Sequence, residues 1–416
     1  MRLELPAPIS LDKFCSTPAY LYFESHYRKL VQDYLSHLNK ISHKLKTHFA
    51  VKSNSNPHLL RFFKDQGFGI DAVSWGECDQ ALRLGYDASQ VVFSGVGKSR
   101  QEIRSAINSG ISMLNIESFG ELEKIMEISQ ESQRKVSVAV RFNPDIDAQT
   151  HPYIATGLED HKFGVVASEA KRIYQASAGN EWVNAVGLSY HIGSQLKNTQ
   201  VMKDAAKEAI QFCQNLRRET EIELKVLDIG GGLGISYDDP FKLPPFEAYA
   251  DYVQFAGDSW RELMGTEPDL HCENGRCLSA LGGFLLTQVV GTKRTSRKNF
   301  AIVDASITEL IRPALYQSEH PIFYWGASSE KRSSKIFEVV GPVCESSDVL
   351  SEACSLPDLK EGDPLLIAAS GAYGYVMGSF YNNRSLPPEY WIPENGEPVL
   401  SRRRVSWSEI FPETTA

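Results

Sequence analysis

The sequence predicts a TIM-type (β/α)8 barrel followed by a mostly antiparallel β domain. Three observations carry this. At 416 residues the chain exceeds what one ordinary core holds. From about residue 46, short β-rich runs alternate with longer stretches of helical period, as βα units around a parallel sheet do. After Arg276 the texture turns to β-rich runs with few helical stretches between them.

In chain order, Ala19–Phe23 is a candidate strand that precedes the first barrel unit and is expected to pair with the C-terminal domain. The barrel strands are then expected at Thr47–Lys52, Gly69–Ser74, Val91–Ser94, Met113–Ile116, Val136–Phe142, Ala185–His191, Val226–Ile229 and Leu270–Glu273. Eight βα units in about 250 residues is the size of a TIM barrel. Pro57–Gln66, Glu77–Gly85, Arg100–Asn108, Phe119–Glu127 and Met202–Arg218 carry apolar residues at three-and-four spacing and read as outer helices. The β domain is expected to include Gly283–Val290, Asn299–Asp304, Ile322–Trp325, Lys335–Val340 and Leu365–Ala369. This divides the chain into a barrel at 24–278 and a β domain made of 1–23 plus 279–416.

Composition narrows the function. A hydrophobic share of 42% with 23% charged residues, and no apolar run of about 18 residues, points away from disorder and from a membrane span. The net charge of −9, with no basic stripe interleaved with aromatics, points to a small-molecule partner rather than nucleic acid. Met1 through Leu11 lacks the basic-then-apolar layout of a secretory signal, so a cytoplasmic location is expected. The seven cysteines form an odd, dispersed set without a CxxC pair, which suits reduced thiols and suggests no metal site.

In a barrel of this kind, chemistry belongs at the C-terminal ends of the strands. Lys52 closes the first strand, Asp71 and Ser74 the second, Arg141 the fifth and His191 the sixth, while DIGGGLG (Asp228–Gly234) follows the seventh and ENGR (Glu273–Arg276) the eighth. Lys52 lies among apolar and aromatic residues, where burial would favour the neutral amine that attacks a carbonyl; a strand-end lysine that snorkels is the commoner arrangement taken singly. Gly230 to Gly232 allow close backbone approach where such barrels build phosphate sites, although tight turns also use glycine runs. Glu273 could face a protonated ring nitrogen or be an ordinary ion-pair member. His191 could lie flat against a ring or be a satisfied core histidine. In GPVCESSD (Gly341–Asp348), Cys344 beside carboxylates could donate a proton, or could be a small buried hydrophobe.

Taken together, HFAVKSNSNPHLLRFF, FGIDAVSWGE, HPYIATGLEDHKFGV, YHIGSQ, DIGGGLGI, ENGR, IRPALY, GPVCESSD and GAYG, in that order from about Ala19 to Asn383, resemble the alanine-racemase-like pyridoxal phosphate enzymes and, within them, the diaminopimelate and ornithine decarboxylase group. The resemblance implies that Lys52 holds pyridoxal 5′-phosphate covalently and that His191 stacks on its ring. Asp71, Arg141, Ser194, Gly232, Glu273, Gly275, Arg276 and Tyr373 would complete the cofactor site. IRPALY and CESSD look like the diaminopimelate branch, which implies removal of a carboxyl group from meso-diaminopimelate to give L-lysine and CO2. Arg276, Arg312, Tyr316 and Tyr373 would grip the substrate, and Glu345 would receive its distal ammonium. Cys344, with Lys52 as the alternative, would return a proton to Cα, and a head-to-tail homodimer would carry Cys344 and Glu345 into the partner's barrel.

Two departures stand out: Asn274 replaces the Pro of the usual EPGR turn, and DASITELIRPALY differs from DAGMNDLIRPALY. They leave room for another amino-acid substrate, such as D-ornithine, D-lysine or a carrier-bound or polyamine precursor. A racemase, or a non-catalytic relative acting by binding another protein, is a further reading, against which the CESSD turn and the retention of Lys52 and Cys344 argue.

Overall fold

A computed structural model of the chain describes residues 2–147, 162–326 and 332–411. Part of the HPYIATGLEDHKFGV string, residues 151–161, lies outside the described residues.

Eight parallel strands close on themselves: β2 (Leu45–Ala50), β3 (Gly69–Ala72), β4 (Val91–Phe93), β5 (Met113–Ile116), β6 (Val136–Arg141), β7 (Val183–Ser189), β8 (Val226–Asp228) and β9 (Asp269–Asn274), with β9 pairing back to β2. Helices α2 (Pro57–Asp65), α3 (Trp75–Arg83), α4 (Arg100–Ser109), α5 (Phe119–Ser132), α6 (Ala167–Ser177), α7 (Thr199–Thr220) and α8 (Phe246–Met264) follow successive strands, and α1 (Glu24–Leu38) precedes β2. Their starts are written locally. Asn56 caps α2, with Pro57 in its first turn, and Ser99 and Glu102 form a capping box on α4.

Residues in register on neighbouring strands share a face. That places Asp71, Asn115, Asp228 and Glu273 in the lumen near the C-terminal mouth. His48 pairs with Glu273 in register, His271 pairs with Asp228, and the two imidazole centroids lie 4.9 Å apart beneath the carboxyl layer. Val92, Met113, Ala139 and Val226 form a small apolar cluster separate from the main core.

The β domain is a nine-stranded sheet. Its main path runs β14 (Val349–Pro357), β13 (Ser334–Val340), β11 (Asn299–Val303), β10 (Gly283–Arg294), β1 (Ala19–Phe23), β16 (Glu389–Ile392) and β17 (Val399–Arg402). β15 (Pro364–Ile367) pairs with β10 and with β12 (Ile322–Tyr324). Most pairs are antiparallel, but β1–β16 and β11–β13 are parallel. The N-terminal strand β1 sits between β10 and β16, buried along its whole length.

The β domain meets the barrel at the loop after β2. Tyr373 N–H donates to Ser53 O at 2.8 Å, Asn54 Nδ2 to Gly371 O at 2.7 Å and Arg402 Nη2 to Ser55 Oγ at 3.1 Å. Among the described residues no helix is long and apolar enough to cross a membrane.

Two expectations are corrected. The first barrel strand stops at Ala50, two residues short of Lys52, because the chain tightens into a 3-10 turn (Val51–Ser53) in which Asn54 N–H reaches back to Val51 O. Ser74 does not belong to the second strand; it caps α3 by accepting from Glu77 N–H.

Candidate active site

Lys52 projects from that turn over the barrel mouth, with 34% of its side chain still exposed. Its Nζ donates to Asp71 Oδ2 at 2.8 Å, and Asp71 is fully buried. Burial works against an ammonium here, but the Asp71 carboxylate, chief among the acidic groups around it, outweighs it and holds the lysine above its ordinary range. The expectation of a neutral amine made by burial is therefore corrected: Lys52 is protonated, because its surroundings are acidic as well as enclosed.

Glu273, at the end of β9, is raised well above the carboxylate range by burial and by the nearby Asp228 and Asp71. Its Oε1 accepts from Asn115 Nδ2 at 3.2 Å and Ser94 Oγ at 3.3 Å. A neutral carboxyl in such a place becomes a carboxylate when a cation settles on it.

His191 lies just past β7. Burial, and then the charges of Arg141 and Lys52, hold its imidazole well below the ordinary value, so it is neutral. Its Nδ1 accepts from Gly231 N–H at 3.2 Å, which puts the ring proton on Nε2. The glycine run beside it has no room for side chains: a Cβ on Gly231 would overlap Glu273 O, and one on Gly232, at φ +109°, would overlap Gly193 O. The result is a close-packed glycine cradle in which Gly230 N–H donates to Asp228 Oδ1 at 2.9 Å and Gly234 N–H to Leu196 O at 2.9 Å.

Arg276 closes that cradle. Its Nε and Nη2 donate to Ser194 Oγ at 3.2 and 2.9 Å, and its Nη1 to Tyr237 Oη at 2.6 Å. Gly275 just before it packs against Ser53 and Ala50, where a Cβ would sit 2.9 Å from Ser53 Oγ. Arg312, on the short helix Arg312–Tyr316, donates to the same Tyr237 Oη at 3.0 Å. The Tyr373 ring lies 4.8 Å from the Arg276 guanidinium carbon and 6.0 Å from that of Arg312, and Tyr316 lies 5.3 Å from that of Arg312. Both arginines are buried, and among the described residues neither has a carboxylate partner. A buried pair of cations met only by phenols, hydroxyls and an imidazole is a receptor for anions.

Tyr237 joins the two arginines and was not singled out from sequence; an isolated tyrosine in a polar loop gives no local signal of that role. Glu117 was missed for the same reason, although its carboxylate pairs with Arg141 Nη1 at 3.1 Å.

Cys344 and Glu345 stand apart. Both are exposed, Cys344 N–H donates to Asn382 Oδ1 at 3.0 Å, and Glu345 Oε2 accepts from Tyr381 Oη at 3.1 Å. No hydrogen bond or ion pair among the described residues joins them to Lys52, Glu273 or Arg312 of their own chain.

The two departures from the expected strings are structural. Asn274 is buried, and its Nδ2 donates to Tyr34 Oη at 3.2 Å and Tyr249 Oη at 3.1 Å, toward α1 and α8 and not toward Arg276. In DASITEL, Ser306 N–H and Oγ bond to Glu309 Oε2 at 2.8 and 2.9 Å, closing a turn just before the helix that starts at Arg312.

Comparison with known proteins gives concordant results. Residues 27–280 match the family described as pyridoxal-dependent decarboxylase, pyridoxal binding domain. A diaminopimelate decarboxylase of Pseudomonas aeruginosa is 38% identical over 396 residues, covering 95% of this chain and 92% of that protein. The crystal structure of diaminopimelate decarboxylase from Helicobacter pylori complexed with L-lysine is 35% identical, superposes with a TM-score of 0.88, and covers 96% of this chain and 97% of its own. That from M. jannaschii in co-complex with L-lysine is 30% identical with a TM-score of 0.89, covering 98% and 93%.

Proposed function

The chain belongs to the pyridoxal-dependent decarboxylases, and from that premise we propose that it converts meso-diaminopimelate to L-lysine and CO2 with pyridoxal 5′-phosphate as cofactor. The observation that carries the substrate assignment is the buried pair Arg276 and Arg312, meeting on Tyr237 with no carboxylate partner among the described residues. A substrate that keeps a second carboxylate at its far end supplies the missing charge; a simple diamine precursor does not.

The residues present fit the cofactor. A lysine amine, a buried carboxyl, a neutral imidazole and a glycine cradle lined by Ser194 and Arg276 match an aldehyde, a ring nitrogen, a ring face and a phosphate in turn. When bound, pyridoxal phosphate supplies an aldehyde carbon that bonds to amines and a ring that accepts the electron pair left when the carboxyl group departs. Lys52 would hold it, and Asp71 Oδ2, which accepts from Lys52 Nζ at 2.8 Å, fixes where the amine points. Glu273 would face the ring nitrogen as a carboxylate, keeping that nitrogen protonated. His191 would present its flat, uncharged face, and Arg141 would lie beside it. Gly232, Ser194 and Gly275 would bind the phosphate, Arg276 at the edge of that cradle would turn with Arg312 to the substrate carboxylate, and Tyr373 would lie over both cofactor and substrate.

Arg312 and Tyr316 would orient the distal carboxylate, fixing which end of the substrate reacts. The Cα proton would come from Cys344 or from Lys52. Because Cys344 and Glu345 are exposed on the β domain, they would act in the barrel of a second copy, Glu345 receiving the distal ammonium; this makes the working unit a homodimer, acting in the cytoplasm.

The test is CO2 release and L-lysine formation from meso-diaminopimelate by the purified protein supplied with pyridoxal phosphate, with Lys52→Ala alongside. The expected result is turnover by the wild type and none by the variant. Turnover of a different amino acid with none of meso-diaminopimelate would overturn the substrate assignment.

A further inference from the structure

Behind Arg141 runs a line of buried charges that the reaction as described does not use. Lys98, in the loop after β4, has only 1% of its side chain exposed and donates to Gly95 O, Asn115 O and Glu121 Oε1 at 2.7, 2.7 and 2.8 Å. The lysine is thereby saturated. The other oxygen of Glu121 accepts the backbone N–H of Glu117 at 2.8 Å. Glu117, 1% exposed, is itself divided: Oε1 takes Arg141 Nη1 at 3.1 Å, and Oε2 takes Gly164 N–H at 3.0 Å.

Gly164 N–H belongs to the segment that returns to the barrel after β6, where Phe142 and Val165 form a parallel bridge. Glu117 therefore fixes the Arg141 side chain and the backbone beside it together. The guanidinium is also covered by the Phe163 ring, 4.8 Å from its central carbon. An edge held by a carboxylate and a face held by a ring leave Arg141 one orientation. The four side chains carry two positive and two negative charges, so the line is neutral as a unit and unbalanced if any member is removed. At its end, the Arg141 charge is felt by both His191 and Glu273.

We propose that Glu117 is a positioning residue for the cofactor site, aiming Arg141 beside His191, with Lys98 and Glu121 as the buried backing that keeps Glu117 in place. The inference rests on the assignment of the barrel mouth to pyridoxal phosphate.

The experiment titrates pyridoxal phosphate into cofactor-stripped full-length protein, reading absorbance and visible circular dichroism, with melting followed in parallel. Glu117→Gln is expected to raise the half-saturating cofactor concentration by at least about tenfold and to alter the dichroism of the bound cofactor. The double variant K98M/E121Q removes one charge of each sign and is expected to move both readouts in the same direction; it carries the test if Glu117→Gln does not fold. As a control, Arg332→Met breaks the Arg332–Asp363 pair in the β domain and is expected to lower the melting temperature with cofactor affinity unchanged. Wild-type affinity and dichroism in Glu117→Gln, or in the double variant, would overturn the proposal. Failure of the wild type to bind pyridoxal phosphate would instead overturn the cofactor assignment on which it rests.

Discussion

The floor of the catalytic barrel makes a quantitative prediction about acid stability. His48 faces the lumen on β2, is buried, and among the described residues has no well-formed hydrogen bond at either ring nitrogen. Burial first, and then the neighbouring His271 and Lys46, pull its imidazole down to about 3. The unfolded chain takes up this proton near pH 6.5, whereas the folded protein refuses it until about pH 3. The favourable contribution is thus complete above the unfolded value and is lost as pH falls toward the folded one. Integrated between pH 7.5 and pH 5, this single group costs about 2 kcal/mol of stability. For a chain of this length that corresponds to about 2 °C in melting temperature. His48→Gln keeps much of the shape and removes the titration. Calorimetric or fluorescence melts of both proteins at the two pH values should show the variant losing about 2 kcal/mol less on acidification than the wild type. His26 and His320, pulled down to about 4 and about 3 by burial, are common to both proteins and cancel in the difference. Parallel losses in the two proteins would refute the reasoning.

Three further outcomes are expected. Arg312→Met should raise KM for meso-diaminopimelate by about 10- to 100-fold, the worth of one charge-assisted pair, and affect amino acids without a distal carboxylate far less; steady-state kinetics on both substrate types checks this. Gly232→Ala places a side chain against Gly193 O at a left-handed φ, and should abolish stable retention of pyridoxal phosphate while the far-UV spectrum stays unchanged, as read by cofactor absorbance after gel filtration. Asn274→Ala should cost about 1–3 kcal/mol in denaturant unfolding, because Tyr34 and Tyr249 lose a buried partner, while the ranking of amino-acid substrates stays that of the wild type.

The eight barrel strands were legible because each is a short β-rich run set off by helical period, a local property of the chain. Helices α1, α6 and α8 and strands β14, β16 and β17 were not singled out. β16 is a buried four-residue run whose strand identity depends on lying beside β1, more than 360 residues away in sequence. Lys52 was located to within a turn, but its charge state was not legible, because it depends on Asp71 and Glu273 arriving from other strands.

The sequence by itself determined the order of elements, the strand-end residues and the resemblance that names the cofactor, since period, turn chemistry and strings of residues are written along the chain. Only the tertiary structure decided what those residues face. It joined Arg276 to Arg312 through Tyr237, turned Asn274 toward α1 and α8, and set Glu117 behind Arg141. The physical reason is that the strength of a charge or a hydrogen bond depends on distance and burial, which barrel closure fixes between residues far apart in sequence.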